Sequence, residues 1–345
     1  MSANVGINGF GRVGRTFFRV NYEEQDPSKK QNITIIKDIQ PLENLAYLLK
    51  HDSTYGTFMG EVSVKGNALI VDEKEIQYFK ERDVTNVPWG DLGINVLVEA
   101  SGAMTIDDAR PLIKSPLTNV VYDRKQNGVD HTFVMGVNHQ DYDSSEHKII
   151  SASTCTGNAI VPVAKIINSA WGIKRGYIMT IHPVLTDQSL LDVAYEKCNL
   201  GRSALRSIIP TSTGVVESLE TILPELRGKI TGGSYRVPVD IVSAITATFD
   251  LKRPATPEEV NSLFRQKASG KMKGVIEYDP GFLGNQKVSI DFFKNPHAVI
   301  FSSLETKVSQ GNLLTVSLFH DNEWGYCCRV HKLIDYIHRR NTNNG

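Results

Sequence analysis

VGINGFGRVGR, residues 5–15, decides how the first part of the chain folds. Gly9, Gly11 and Gly14 stand as G-x-G-x-x-G between an apolar run over Val5–Asn8 and a helical pattern that starts at Arg12, with Asp38 at the end of the next strand-like run. Glycines at that spacing permit a tight turn and a close approach of backbone to a pyrophosphate, whose charge meets the N-terminal amides of the following helix. Asp38 would accept hydrogen bonds from the adenosine ribose hydroxyls and repel an added 2'-phosphate. A bare glycine triplet can also do no more than pack helix on strand; Asp38 and the strand–helix–strand frame favour the dinucleotide reading. Lys37, immediately before Asp38, would tolerate a phosphate if its side chain turned inward, so the choice of NAD over NADP rests on Asp38.

Outward from this turn, the first half alternates strand-like and helix-like stretches: Ile33–Ile36, a helix near Leu42–Leu49, then Val96–Glu99. That order predicts a parallel sheet flanked by helices. Val62, Val64, Leu69, Ile70, Val71 and Ile76 read as short antiparallel strands in a peripheral insertion. A strand over Lys148–Ser151 runs into a helix carrying Ile160, Val161, Ala164, Ile166 and Ile167, after which β-rich segments dominate, among them Gly176–Ile181, Ser234–Val237 and Ile241–Leu251. The fold class is therefore α/β: a doubly wound dinucleotide-binding domain over 1–154, joined by a C-terminal helix over 322–345, and an α+β catalytic domain over 155–321 with a mixed or antiparallel sheet.

At 345 residues the chain has room for two such cores. Lys plus Arg and Asp plus Glu both number 38, so no net field draws the chain to nucleic acid or an anionic membrane. No signal region and no apolar run of membrane-spanning length is seen, which gives a soluble, cytoplasmic expectation. Four cysteines, Cys155, Cys198, Cys327 and Cys328, have no CxxC spacing and suit a reducing compartment; together with nine scattered histidines they have no spacing typical of a metal site.

The chemistry points to Ser151–Asn158, SASTCTGN, where Cys155 falls at a strand-to-helix junction. A helix N-terminus lowers a thiol pKa through its dipole and free amides. A lone cysteine is more often a buried apolar residue, but Ser153, Thr154 and Thr156 suit an anion or oxyanion site better than a core. His182, at the end of the strand through Tyr177–Ile181, is a candidate base, although spacing alone does not select it among nine histidines.

Several ordered motifs carry a resemblance that runs from Val5 to about Arg340: NGFGRVGR at the start, LLKHDSTYG at 48–56, FVMGVN at 133–138, the Cys155 segment, IIPTSTG at 208–214, RVP at 236–238 and DNEWGY at 321–326. On these the sequence resembles the glyceraldehyde-3-phosphate dehydrogenases. The resemblance implies a Rossmann domain and a homotetramer in which a long loop from about Pro183 to Ser207 approaches a neighbour's cofactor. It implies NAD as cofactor, bound by Gly9, Phe10, Gly11, Arg12, Val13, Gly14, Asp38, Ser101, Asn322 and Tyr326, with Asn322 on the nicotinamide carboxamide. Cys155 becomes the nucleophile and His182 its base. The Cys155 amide and the His182 side chain would stabilise the developing oxyanion. The substrates implied are a phosphorylated aldehyde and inorganic phosphate. Thr156, Arg202, Thr213 and Gly214 match the site of the attacking phosphate, Arg236 with Asp187 the pocket for the phosphate already on the substrate, and Thr154 joins the residues that bind substrate or phosphate.

The sequence departs from the family at four places. Leu185, three residues after His182, replaces a threonine, removing a hydroxyl donor worth about 1–2 kcal/mol of phosphate binding, roughly tenfold in affinity. The related enzymes acting on erythrose 4-phosphate, whose thioester is hydrolysed by water, also tend to lack that threonine, so oxidation of a tetrose phosphate is the alternative reading; a non-catalytic homologue is a third. Gly157 follows Thr156 and loosens the helix start, and Ala159 stands where the family has a second cysteine. Part of Tyr122-Asp123-Arg124-Lys125 replaces Ser-Ala-Pro near the nicotinamide. Ala194 replaces a proline common in NAD-using members.

Overall fold

The computed structural model describes residues 2–343 and divides the chain into two compact units. The first comprises residues up to Phe133, His139–Ser153 and the segment from Cys327 onward; the second comprises Val134–Asn138 and Thr154–Tyr326.

In the first unit β1 (Asn4–Asn8) leads through the glycine turn into α1 (Arg12–Glu23), β2 (Asn32–Asp38) and α2 (Leu42–Lys50). A two-stranded ribbon of β3 (His51–Asp52) and β4 (Gly56–Thr57) follows, then β5 (Val62–Lys65), β6 (Ala68–Val71), β7 (Lys74–Lys80), β8 (Val96–Glu99), α3 (Ile106–Ala109), β9 (Asn119–Tyr122), β10 (His131–Thr132) and β11 (Ile149–Ser151). The main sheet has the order β10-β11-β9-β8-β1-β2-β7-β6-β5. All pairs from β10 to β7 are parallel, and β1, β8 and β9 are buried on both faces, which is why they read as continuous apolar runs. The segment expected as a peripheral insertion is part of this sheet. Its strands do pair antiparallel with one another, but β7 also lies parallel to β2, from Ile35 opposite Gln77 to Asp38 opposite Lys80.

The chain goes from β1 to β2 on one side and returns to β8 on the other. The switch point of this doubly wound sheet therefore lies between the carboxyl ends of β1 and β8, where Asn8 is paired with Glu99.

The second unit opens with α4 (Cys155–Trp171), followed by β12 (Ile173–His182), β13 (Ile209–Thr211), α5 (Val215–Ile222), β14 (Ile230–Arg236), β15 (Ser243–Leu251), α6 (Pro257–Ser269), β16 (Ile276–Asp279), β17 (Val299–Ser309) and β18 (Leu313–His320). Its sheet, β13-β14-β12-β15-β18-β17-β16, is mixed: β12 with β14 and β16 with β17 are parallel, the other pairs antiparallel. Strict alternation along β15 turns Ile245, Ala247 and Phe249 inward to pack with Ile160, Val163 and Ile167 of α4 in one apolar core. The other face carries exposed Tyr177, Ile181 and Tyr235.

The C-terminal helix α7 spans Trp324–Asn343 instead of beginning at Asn322, because the Asp321 carboxylate accepts from the backbone N–H of Glu323 and Trp324 and so fixes the start. Residues 344 and 345 of the expected span lie outside the described residues. From Cys327 on, α7 belongs to the first unit, tied there by the Gln31 amide donating to the His331 carbonyl and by Asn341 donating to Thr118 and Asn119. Among the described residues no helix is long and apolar enough to cross a membrane.

Candidate active site

The nucleotide turn is built from backbone that only glycine accommodates. Gly9 has φ +94°, and a Cβ there would lie 2.4 Å from the backbone N of Ser101; a Cβ on Gly14 would lie 2.2 Å from the Gly9 carbonyl oxygen. Gly11 differs: nothing lies within 4 Å of where its Cβ would be, and it N-caps α1 without any side-chain hydrogen bond. An open backbone at a helix N-terminus is what a pyrophosphate requires. Asp38 receives the N–H of Phe10 on one carboxylate oxygen (2.7 Å) and those of Ile39 and Gln40 on the other (2.7 and 3.0 Å), which locks its orientation at the end of β2.

Of the other expected cofactor residues in this unit, Phe10 is fully buried and packs its ring edge-on to Phe18, so only its backbone is available. The Arg12 guanidinium pairs with Asp52 at 2.6 Å and sits over the Tyr55 ring. Val13 accepts a weak contact from the Cys327 thiol through its carbonyl. Ser101 donates its N–H and hydroxyl to Glu99.

Glu99 was not singled out from the sequence, yet it organises the switch point. Its wholly buried carboxylate accepts from the Asn8 amide, from Ser101 and from the N–H of Gly102, and pairs with Arg124 at 3.2 Å. Arg124 also donates to the Met104 carbonyl and lies over the Tyr122 ring, while the Tyr122 hydroxyl donates to the Thr105 carbonyl. The charged 122–125 stretch thus supplies the counter-ion of Glu99. Asp123 shares that counter-ion less closely, at 3.9 Å, and its burial, with the Glu99 charge nearby, pushes its pKa up to about 7.

The catalytic candidates gather in the second unit. Thr154 caps α4, its hydroxyl accepting from the N–H of Gly157 at 2.9 Å, and this sets Cys155 in the first turn. The helix packs on β12, β17 and β18, and at the end of β12 the His182 Nε2 stands 4.0 Å from the Cys155 sulfur. The His182 Nδ1 is 2.9 Å from the Pro183 carbonyl, which can only accept, so Nδ1 carries the hydrogen and Nε2 presents its lone pair to the thiol. Burial, then the charge of Arg236, pulls the His182 pKa down to about 4, leaving the imidazole neutral at physiological pH. For the thiol the sequence argument pointed the other way. Burial pushes the Cys155 pKa up, and this outweighs the pull of Thr156 and Arg236 toward thiolate. Both shifts favour the uncharged forms, thiol and imidazole.

Arg236 is the parallel partner of His182 across β14 and β12, close enough to feel the charges of Asp187 and Cys155. Thr156, buried, has its hydroxyl 3.8 Å from the Cys155 sulfur. Thr213 and Gly214 form the N-terminal turn of α5, with the Thr213 hydroxyl accepting from Val215 N–H. Arg202 stands apart, held by Asp192 at 2.9 Å on an exposed stretch. Leu185 is partly exposed, and its N–H donates to the Gln188 side-chain oxygen; the Gln188 Nε2 is buried without a partner. Ser243 is the partner of His320 across β15 and β18, both buried, and His320 lies close enough to feel the charge of His182. Asn322 is buried, with no partner for its Oδ1 among the described residues, an acceptor suited to a carboxamide N–H; Tyr326 is buried in the first turn of α7.

Residues 3–107 match the family model described as glyceraldehyde 3-phosphate dehydrogenase, NAD binding domain, and residues 154–322 match that of the C-terminal domain of the same enzyme. Sheet, turn and match together define the class, an NAD-dependent oxidoreductase whose cofactor is NAD. Among proteins similar to it are glyceraldehyde-3-phosphate dehydrogenase 1 of Bacillus cereus, 38% identical over 96% of this chain and 98% of the relative. Glyceraldehyde-3-phosphate dehydrogenase of Geobacillus stearothermophilus is 38% identical over 98% of each, and that of Xanthobacter flavus 38% identical over 96% and 97%. The chain belongs to the glyceraldehyde-3-phosphate dehydrogenase family.

Proposed function

We propose that the protein oxidises D-glyceraldehyde 3-phosphate to 1,3-bisphosphoglycerate, through a thioester on Cys155 that inorganic phosphate cleaves. The observation that carries this reading is the Cys155–His182 pair, with the imidazole Nε2 4.0 Å from the sulfur and Arg236 next in the same row. The His182 Nε2 takes the thiol proton as sulfur adds to the aldehyde carbon, which removes the need for a preformed thiolate in a buried site. The adduct is a thiohemiacetal. His182, again neutral once its first proton has gone to the adduct oxygen, accepts the hydroxyl proton as the carbon–hydrogen bond breaks, and the product is the acyl thioester. NAD, when bound, supplies the hydride acceptor. The backbone turn at Gly11, with Asp38, would hold its pyrophosphate and ribose, and Asn322 its carboxamide.

Arg236 and Asp187 are proposed to hold the phosphate already on the substrate, and Thr156, Thr213, Gly214 and Arg202 the attacking one, with Thr154 among the residues that bind substrate or phosphate. The proximity of Arg236 to Cys155 supports the first assignment. Arg202 would have to leave Asp192 to serve the second, a modest demand for an exposed ion pair. The buried, unpartnered Gln188 amide is a donor that could offset the hydroxyl lost at Leu185. The protein is further proposed to be a cytoplasmic homotetramer. The outward Tyr177, Ile181 and Tyr235, together with Leu190, Leu191 and Val193 in the 183–207 loop, offer apolar surface for a neighbour.

The test is a single turnover without phosphate. Mixing enzyme, NAD and glyceraldehyde 3-phosphate should give about one NADH per site and an acyl adduct on Cys155 detectable by mass spectrometry, discharged on adding phosphate. An adduct on another residue, or none with NADH still formed, refutes the thioester route.

A further inference from the structure

A cavity of about 330 Å³ opens in the first unit at the far end from the glycine turn. Its walls are mainly apolar: Phe18 of α1, Ile33 of β2, and Val71 and Ile76 of the β6–β7 hairpin line it, all four buried. Asn21 and Gln31 also line it and are fixed by each other, the Asn21 side chain donating to the Gln31 carbonyl at 3.0 Å and accepting from the Gln31 N–H at 2.7 Å. From Arg12 to Tyr22 the helix rises about 15 Å, and from Ile33 to Asp38 the strand runs about 16 Å. A small molecule in this cavity is therefore well clear of the turn and of Asp38.

Two lysines stand at this cavity. Lys30 Nζ donates to the Tyr22 carbonyl at 3.0 Å and lies over the Tyr22 ring, and Lys74 Nζ donates to the Asn32 Oδ1 at 2.7 Å. Both acceptors are neutral, and neither lysine has a carboxylate within ion-pair distance among the described residues. Two acids share the lining but do not neutralise the pair. The Asp72 carboxylate is taken up by the Tyr22 hydroxyl at 3.0 Å and by the N–H of Glu61 at 2.9 Å, and Glu73 is exposed at the hairpin turn. Partial desolvation, then the charge of Lys30, lowers the Lys74 pKa, and no carboxylate is among the charges that act on it. Like charges gathered beside apolar walls repel until an anion lies between them. A phosphate monoester carries close to two negative charges at neutral pH, which matches two ammonium groups, and an apolar ester group matches the walls.

We propose that this cavity is a second ligand site, which takes a phosphate monoester of an aromatic alcohol, its phosphate held between Lys30 and Lys74 and its ring against Phe18, Ile33, Val71 and Ile76. The test is calorimetric titration of 1-naphthyl phosphate into NAD-saturated protein, as wild type, K30M, K74M, the K30M/K74M double variant and R236M. Methionine keeps the apolar stem and removes the charge, and R236M removes the arginine proposed to hold the substrate's phosphate. Wild type and R236M should bind the probe with equal affinity at one site per chain. The double variant should bind about tenfold more weakly or worse, and each single variant should show part of that loss. Inorganic phosphate, which lacks the ring, and 1-naphthol, which lacks the charge, should each bind at least about tenfold more weakly than the probe. Equal affinity of wild type and the double variant overturns the proposal, as does no binding to wild type. A loss confined to R236M also overturns it, by placing the probe in the substrate's phosphate pocket, and inorganic phosphate binding as tightly as the probe would show that the apolar walls are not used. Unchanged turnover and unfolding temperature of the lysine variants without the probe separate a lost site from a damaged fold.

Discussion

In the proposed mechanism Cys155 and His182 work as a pair, and each is held by something local: the thiol by the Thr154 cap, the imidazole by the Pro183 carbonyl. With the thiol pKa raised by burial, its reactivity depends on the base. His182→Asn should slow iodoacetamide alkylation of Cys155 near pH 7 by about tenfold or more and lower kcat by roughly 10²–10⁴-fold. Unchanged alkylation would mean that the sulfur is already ionised. Asp123 gives a second single-residue expectation. Its folded pKa is raised to about 7, above the ordinary carboxylate value, so ionising it costs stability as pH rises from about 4 through 7. Asp123→Asn should therefore raise Tm at pH 8 and leave it nearly unchanged at pH 4; the same gain at both values would rule out ionisation as the cause. The place of Cys155 at the start of α4, the glycine turn and the place of Asp38 at the end of β2 were legible in the sequence because each depends on neighbours a few positions away. The Glu99–Arg124 pair and the approach of His320 to His182 were not, since they join residues that only strand order brings together.

Helix α4 and the β1–α1 turn carry most of the site's geometry, and each can be disturbed alone. Thr154→Ala removes the hydroxyl that caps α4 and should cost about 1 kcal/mol of stability, measurable by denaturant unfolding, while also loosening the nucleophile. Gly14→Ala places a methyl against the Gly9 carbonyl, and the turn must open to admit it. NAD affinity should fall by at least about tenfold by calorimetry, a conservative figure for a backbone that has to move at a pyrophosphate site; unaltered affinity would mean that the dinucleotide does not use this turn. Local pattern read these elements well: α1 from Arg12, β8 over Val96–Glu99, and the β-rich run Ile241–Leu251, whose strand spans Ser243–Leu251. It caught the antiparallel pairing of β5–β7, a local hairpin signal, but not the parallel pairing of β7 with β2, which is set by sheet order. The start of α7 differs from the expected Asn322 because it is fixed by the Asp321 side chain, which accepts from the N–H of Trp324.

For the molecule as a whole, three buried histidines tie stability to pH. His182 and His331 are pulled down to about 4 and His320 to about 3, in each case mainly by burial. Above their ordinary value of about 6.5 both folded and unfolded chains hold them neutral, and the fold bears no penalty. As pH falls below it, the unfolded chain takes up protons that the folded chain refuses, and stability drops by up to about 1.4 kcal/mol per pH unit for each histidine. Tm should fall steadily from pH 6.5 to 5, with Asp123 offsetting part of the slope; His331→Gln should make the fall shallower, and a flat Tm across that range would contradict the burial of these rings in solution. The two-core organisation was legible from length and from the change of pattern after Ser151, but which segment of the chain joins which unit depends on long-range packing, as for Val134–Asn138. The central claim, phosphate-dependent oxidation of a triose phosphate through Cys155, is tested most directly by NADH formation with glyceraldehyde 3-phosphate or erythrose 4-phosphate, each with and without inorganic phosphate, for wild type and Cys155→Ala. The account predicts fast turnover of the triose that requires both phosphate and Cys155. Preference for the tetrose without phosphate, or turnover that survives in Cys155→Ala, would contradict it.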